Sequence, residues 1–350
     1  MKKLKFLSLI LTAVLILGMF SSCSSYVPYN YDVSKYITLG EYKGLTCDFI
    51  DIGVSDAELQ AGIHSRLKEN GYGERKEVTT GSVILWDDVT LDMTGSVDGK
   101  NDAALSLSDY QLEVGSSTFL DEFEQMLIGQ PIGKSVEFDV AFPDDYIKVN
   151  YAGKNVHYNV TVKTVSRMVY PELDDQIVAD ISESKTVDEF ITVLRTELEE
   201  ESIIKSDEDR EKQLWEQVVA NATVIEYPKD AVEYLTENFR TQFEEAAEKD
   251  SLTLKEYLNE NNLTIDELNT YIKNRVEKIC KDEMVMYAIA RQEGLEASKS
   301  EIDKLAESYL DTYGYKSTKE LFKHHSKDLV EQTILYQKVK DFIVTNAVEK

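Results

Sequence analysis

Gly95-Ser-Val-Asp-Gly99, Phe119-Leu-Asp-Glu-Phe-Glu-Gln-Met-Leu-Ile-Gly129 and Phe142-Pro-Asp-Asp-Tyr146 carry the reading of this chain. The first is a strand followed by a turn, Asp-Gly being a turn dipeptide. In the second, Leu120, Phe123 and Leu127 recur at i, i+3 and i+7, one face of a short helix. The third is a turn ending on a tyrosine. Around them Val89, Leu91 and Met93 alternate, as do Val136, Phe138, Val140 and Phe142, and then Val156, Tyr158, Val160 and Val162. Period-two patterning on three runs separated by turns predicts a small, half-buried antiparallel sheet with one short helix packed on it.

Outward from this block the pattern changes. Ser55-x-x-Glu58 is a capping box, after which Leu59, Ile63 and Leu67 line a helix face and Gly71 ends it. From Leu173 onward the chain reads as helix, with boxes at Thr186/Glu189, Thr253/Glu256, Thr264/Glu267, Ser298/Glu301 and Ser317/Glu320. One stripe joins Val187, Phe190, Ile191, Leu194 and Leu198, and another joins Ile265, Leu268, Ile272, Val276 and Ile279. Gly294 and Gly314 sit at C-terminal stops, and Pro228 starts a helix. A strand block followed by a helical block predicts an α+β chain, with a sheet domain over 81–169 and an all-α domain over 170–350.

At the other end, Lys2, Lys3 and Lys5 precede an apolar run from Phe6 to Phe20, closed by Ser21-Ser22-Cys23. A charged start, a short apolar core and small residues at the cut predict a secretory signal over 1–22. It is shorter than the ~18 apolar residues of a membrane span. A Cys directly after the small residues resembles the bacterial lipobox, with lipidation at Cys23. The plainer reading is an ordinary signal with an incidental Cys, and Phe20 departs from the Leu usual at the box's first position. Residues 23–40, rich in Ser and Tyr, read as a tether. The expected location is the extracytoplasmic face of a bacterial membrane, held by a lipid anchor.

The formal charge is −27, and about −30 without Lys2, Lys3 and Lys5. Such a field repels nucleic acid and anionic headgroups, which excludes both as partner surfaces. Cys47 and Cys280 remain after Cys23; outside the cytoplasm a disulfide between them is open, though they lie far apart in sequence. The adjacent His324 and His325 cannot face each other on a helix, and no ligand spacing predicts a metal site.

The order of these motifs resembles trigger factor, a bacterial folding-chaperone family with an FKBP-type peptidyl-prolyl isomerase domain. Tyr42-Lys-Gly-Leu45 with the Ser55 helix looks like its linker, which places 41–80 against the helical body. Tyr170-Pro-Glu-Leu-Asp-Asp175 looks like the exit from the isomerase domain. Leu252-Thr-Leu-Lys-Glu-Tyr-Leu258, Leu263-Thr-Ile-Asp-Glu-Leu268 and Ile289-Ala-Arg-Gln-Glu-Gly294 look like the helical arms. The family's ribosome-binding loop, of Gly-Phe-Arg-x-Gly-Lys type, is not found, so no ribosome partner is expected.

The resemblance implies a fold in which an FKBP-like antiparallel sheet joins an all-α chaperone domain. It implies a pocket with Phe123 as aromatic floor, Leu120 as apolar wall and source of a backbone N–H, and Tyr146 from the late turn. Met93, Tyr110 and Tyr158 are its implied substrate-binding lining. Asp102-Ala103 replaces the family's Phe and acidic residue, and Asp121-Glu122 replaces its Pro-Gly. Read alone, Leu120 and Phe123 are as well explained as residues facing a core. The chemistry needs no cofactor or metal: an apolar hole that desolvates the imide disfavours the planar, resonance-stabilised form. Two functions follow, a tethered folding factor that isomerises X–Pro bonds in unfolded chains, and an ATP-independent holdase with an inactive isomerase domain. A third, a surface lipoprotein binding another ligand, has only the anchor in its favour. Client contacts are expected from helix faces carrying Met284, Met286 and Tyr287, unless these are core.

Overall fold

The computed structural model describes Tyr29, residues 31–48 and residues 52–349. The signal segment and Cys23 lie outside the described residues. In chain order come a 3-10 turn at Val33–Lys35 and strands β1 (Ile37–Thr38) and β2 (Thr46–Cys47), then helix α1 (Asp56–Glu69). Strands β3 (Glu74–Val78), β4 (Asp88–Val97) and β5 (Lys100–Glu113) follow, with helix α2 (Asp121–Leu127) before β6 (Ser135–Ala141) and β7 (Asn155–Val169). The remainder is α3 (Asp175–Ile181), α4 (Val187–Asn221), β8 (Thr223–Val224), α5 (Lys229–Lys249), α6 (Leu254–Glu260), α7 (Ile265–Glu293), α8 (Lys299–Tyr313), α9 (Thr318–His324), α10 (Lys327–Thr345) and β9 (Val348–Glu349). The fold is α+β, an antiparallel sheet followed by a helical region.

Two compact units divide these elements. The first holds Gly53–Ser202 with Asn261–Leu263; the second holds the described residues up to Ile52, Ile203–Glu260 and Thr264–Lys350. Helix α4 contributes to both.

In the first unit β7 is the organising strand. Its partner along one edge is β4, and along the other β6 and then β3 pair with successive parts of it. Strand β5 completes the sheet beyond β4, and every pairing is antiparallel. The alternating residues face one core: Val89, Leu91, Met93, Val140, Val156, Tyr158, Val160 and Val162 are buried, with Phe123 and Leu127 of α2 laid on them. A second, smaller core in the same unit joins Leu59, Ile63 and Leu67 of α1 to Val178, Phe190 and Leu194. Ser55 and Glu58 form the reciprocal cap that starts α1.

The second unit packs Leu214, Val218, Met284, Met286 and Val339 around a segment that sequence alone did not place there. Tyr29, Val33 and Ile37 are nearly inaccessible and belong to this core. Arg291 donates hydrogen bonds to the carbonyls of Tyr29 and Tyr31, the Tyr29 ring stands 5.2 Å from that of Tyr287, and β1 pairs with β8. Tyr29 and residues 31–38 of the expected tether are therefore a strap on the helices. Its tyrosines supply large apolar surface that is more stable buried. Strand β2 pairs in parallel with β9, the Val348 N–H donating to the Leu45 carbonyl at 2.8 Å. Cys47 and Cys280 are buried and free. Among the described residues no helix is long and apolar enough to cross a membrane.

Candidate functional site

Phe123 lies at the centre of an aromatic cluster on the inner face of the sheet. Its ring is 4.6 Å from Phe119, 5.4 Å from Phe138 and 5.1 Å from Tyr158. Tyr110 reaches Phe119 edge-on at 6.0 Å. A neighbouring group joins Phe142 to Tyr146 at 4.8 Å and to Tyr151 at 5.9 Å. Tilted and edge-to-face rings at these separations are the favoured geometry of aromatic pairs.

Burial separates floor from rim. Phe123 and Tyr158 are 0% exposed and Met93 2%, whereas Tyr110, Phe119, Leu120 and Tyr146 are half-buried. The six residues expected from the sequence are thus within one core, with Phe123 covered by its neighbours. Its i, i+3, i+7 stripe gives no hint of that cover, since Phe119 and Phe138 come from outside the helix.

The wall is held by a carboxylate the sequence reading passed over. Glu124 is 2% exposed. One of its oxygens accepts the Phe119 N–H at 2.8 Å, the other the Gly115 N–H at 2.7 Å and the Ser117 N–H at 3.2 Å. A buried carboxylate is tolerated when backbone donors satisfy it. Here it ties the 115–119 loop to α2 and so fixes Phe119 and Leu120. Leu120 is the N-cap of α2 and offers no side-chain cap; its N–H has no hydrogen-bond partner among the described residues, one of the donors every helix start leaves open.

The late turn is built as firmly. The Tyr146 and Gly153 N–H groups both donate to the Pro143 carbonyl, and Phe142 donates to Lys154. Tyr151, also missed in sequence, donates its hydroxyl to Asp102 Oδ2 at 2.7 Å. That bond, with the Ala104 N–H, holds the Asp102 carboxyl below the usual range. Burial pushes the Tyr146 hydroxyl up. Burial and the Glu124 carboxylate do the same to Tyr110. These are non-ionising, apolar-faced rings, which suit an apolar guest and supply no acid or base. Among the described residues there is no His, Cys, Asp and Glu group that could hold a metal.

In the second unit Met284 and Met286 are 0% exposed and Tyr287 9%. They are core and cannot offer a client surface. A cleft of about 440 Å³ lies elsewhere, between α5 and α7, with Tyr227, Val232, Ile272 and Val276 as apolar lining. Arg240 donates to Asn269 across it at 2.6 Å.

Comparison with known proteins finds one family. The model of the bacterial trigger factor C-terminus matches residues 186–345. Trigger factor of Carboxydothermus hydrogenoformans is 34% identical over 320 residues, 90% of this chain and 74% of that protein. Trigger factor of Clostridium botulinum strain Loch Maree is 30% identical over 319 residues, 89% and 73% of the two chains. A solved structure of the trigger factor chaperone, from work on its promiscuous substrate recognition in folding and assembly, matches 88% of this chain and 72% of that one, at 17% identity and a TM-score of 0.41.

Proposed function

The chain belongs to the trigger factor family, and on that premise we propose that it is an extracytoplasmic folding factor that binds unfolded chains and isomerises their X–Pro bonds at the Phe123 cluster. Its family makes it a protein-folding chaperone. The observation that carries the isomerase reading is the set of aromatic side chains on one sheet face, with Tyr110, Phe119, Leu120 and Tyr146 as the half-buried members of the core that holds Phe123. An apolar guest site of this kind desolvates an imide and lowers the cost of twisting it, and no ionising group is required. Lys2, Lys3, Lys5 and the run to Cys23 support export and a lipid anchor, which puts the clients outside the cytoplasm and away from the ribosome.

One observation favours the second reading, a holdase without catalysis. Phe123 is fully covered, so a proline ring reaches it only if the rim yields.

The deciding experiment is a proline-limited refolding reaction with the chain from Cys23 onward in soluble form, beside Tyr146→Ala and Phe123→Leu. Acceleration that both variants lose establishes the isomerase. Suppressed aggregation without acceleration leaves the holdase.

A further inference from the structure

Ile84-Leu85-Trp86 is an apolar run in the turn that leads into β4, and it faces water. The three side chains are 45%, 41% and 43% exposed. Met126 and Ile128, at 38% and 43%, stand at the end of α2. The backbone brings the two groups together: the Val83 N–H donates to the Gln130 carbonyl at 2.9 Å, and the Gly129 N–H to the Val83 carbonyl at 2.8 Å. Single exposed apolar side chains are ordinary, whereas five large ones on two adjoining segments mark an interaction surface. None of the five belongs to the aromatic core around Phe123.

The turn is firmly built. Trp86 holds φ 69°, which costs a bulky residue energy and persists only where its surroundings impose it. The Trp86 N–H donates to the Val114 carbonyl at 2.8 Å, and buried Asp87 accepts the Ile84 N–H at 2.9 Å. Leu85 rests on Gly115, in space that a Cβ there would need. The Lys68 ammonium stands 5.4 Å from the centre of the Trp86 ring. An indole beside an ammonium on an aliphatic stem suits a boundary between apolar medium and water, with the charge on the wet side.

The chain's N-terminal end says what such a surface meets. Only five residues lie between Cys23 and Tyr29, and Tyr29 is fixed in the core of the second unit. That length of chain spans at most ~20 Å, so an acyl anchor at Cys23 keeps the folded protein beside the bilayer. A further membrane contact then forms at high local concentration and needs little affinity of its own. The net charge of −27 repels anionic headgroups. Five uncharged side chains fit an interface whose headgroups carry no net charge.

We propose that Ile84, Leu85, Trp86, Met126 and Ile128 form a second membrane contact, inserting into the interface of a bilayer with uncharged headgroups while Lys68 stays on its aqueous side. The proposal draws on the reading of a lipid anchor at Cys23.

The test mixes the chain from Cys23 onward, made without its lipid, with phosphatidylcholine vesicles at physiological salt. Tryptophan emission is followed with ordinary and with brominated acyl chains. Trp215, 8% exposed in the core of the other unit, is the unresponsive second fluorophore. Wild type should sediment with the vesicles, shift its emission to the blue and be quenched by bromine. Ile84→Glu and Ile128→Glu should bind roughly tenfold more weakly, the loss of one partly inserted Ile, with unchanged melting temperatures. A wild type that does not bind, variants that bind equally well, or bound protein that bromine does not quench overturns the proposal. Without vesicle binding, a dimer that Ile84→Glu separates assigns the surface to a second copy, and unfolded-client binding that Ile84→Glu loses assigns it to clients. The mass of Cys23 in the full chain expressed in bacteria tests the anchor separately. An unmodified Cys23 with vesicle binding intact removes the anchor and keeps this contact; an acylated Cys23 without vesicle binding does the reverse.

Discussion

Tyr158 stands directly opposite Gly95 in the β4–β7 ladder, and its ring occupies the space that any side chain at 95 would need. A Cβ there would lie 2.5 Å from Leu105 Cβ, 3.1 Å from the Leu105 carbonyl and 3.1 Å from Tyr158 Cε1. The backbone carbonyl and a strand-anchored Cβ cannot swing aside. The ladder slips register next to this point, between Met93 and Gly95 on the β5 side, and the slip lets Leu105 approach so closely.

Gly95→Ala should therefore lower stability by about 1–3 kcal/mol, the range for overpacking a tight site. Urea unfolding reads it directly. An unchanged midpoint would show that β5 moves away freely.

Asp87 is the second point of fixity in the sheet unit. Completely buried, it accepts from Arg167 Nε and Nη2, both at 2.7 Å, and from the Ile84 N–H at 2.9 Å. It braces a turn in which Trp86 adopts φ 69°, a conformation that costs a bulky residue energy. Asp87→Ala leaves the Ile84 amide without its acceptor and the guanidinium with the Ser82 carbonyl alone, and a loss of about 3 kcal/mol is expected. Arg167 is a quarter exposed, which places the effect at the lower end of the range for buried pairs. Retention of full stability would mean that water replaces the carboxylate.

Removing the ring of Tyr29 should destabilise the helical unit. The residue is 1% exposed and packs on Tyr287, so Tyr29→Ala is expected to cost about 3–5 kcal/mol. Tryptophan fluorescence at Trp215, in the same core, follows the unfolding. A tether would show no effect at all.

Two carboxyls in the helical unit give opposite pH dependences. Hydrogen bonds from Lys338, Ser298 Oγ and the Ser298 N–H pull Glu301 down to about 2. Its contribution is present above its unfolded value near 4.5 and is lost as pH falls toward 2. Burial raises Asp282 to about 6. Its effect runs the other way, with stability greatest below about 4 and declining as pH rises through 6. Relative to wild type, Glu301→Gln should lose stability increasingly from pH 2 to 4.5 and then level off. Asp282→Asn should gain increasingly from pH 4 to 6. Melting curves across this range check both, and parallel curves for wild type and variant would contradict the assignment.

Sequence periodicity was enough for the parts of the fold whose side chains alternate between core and water. Val89, Leu91 and Met93 on β4 and Val156 to Val162 on β7 do so, and both strands form over them. Strand β3 reads Glu-Arg-Lys-Glu-Val and carries no such pattern, because an edge strand with exposed faces is held by its ladder to β7 and by ion pairs of Arg75 with Asp88 and Glu113 rather than by alternating apolar side chains. The capping boxes at Thr264 and Ser298 were legible because the pairing is local. Glu124, Asp102 and Tyr151 were not, since their partners are loop N–H groups and side chains tens of residues away. The strap at Tyr29 shows the same limit: composition reads Ser and Tyr as spacer, whereas the helices that cover them come some 250 residues later.

Strand β2 has its partner almost at the end of the chain. Thr46 is made early, yet Val348 emerges about 300 residues later, which at ordinary synthesis rates is ~15–60 s. For all that time Leu45 and Thr46 have no strand to pair with, and the core around Cys47 cannot close. A protein of a family that attends the unfinished folding of others thus completes its own helical unit only after Val348 has been made.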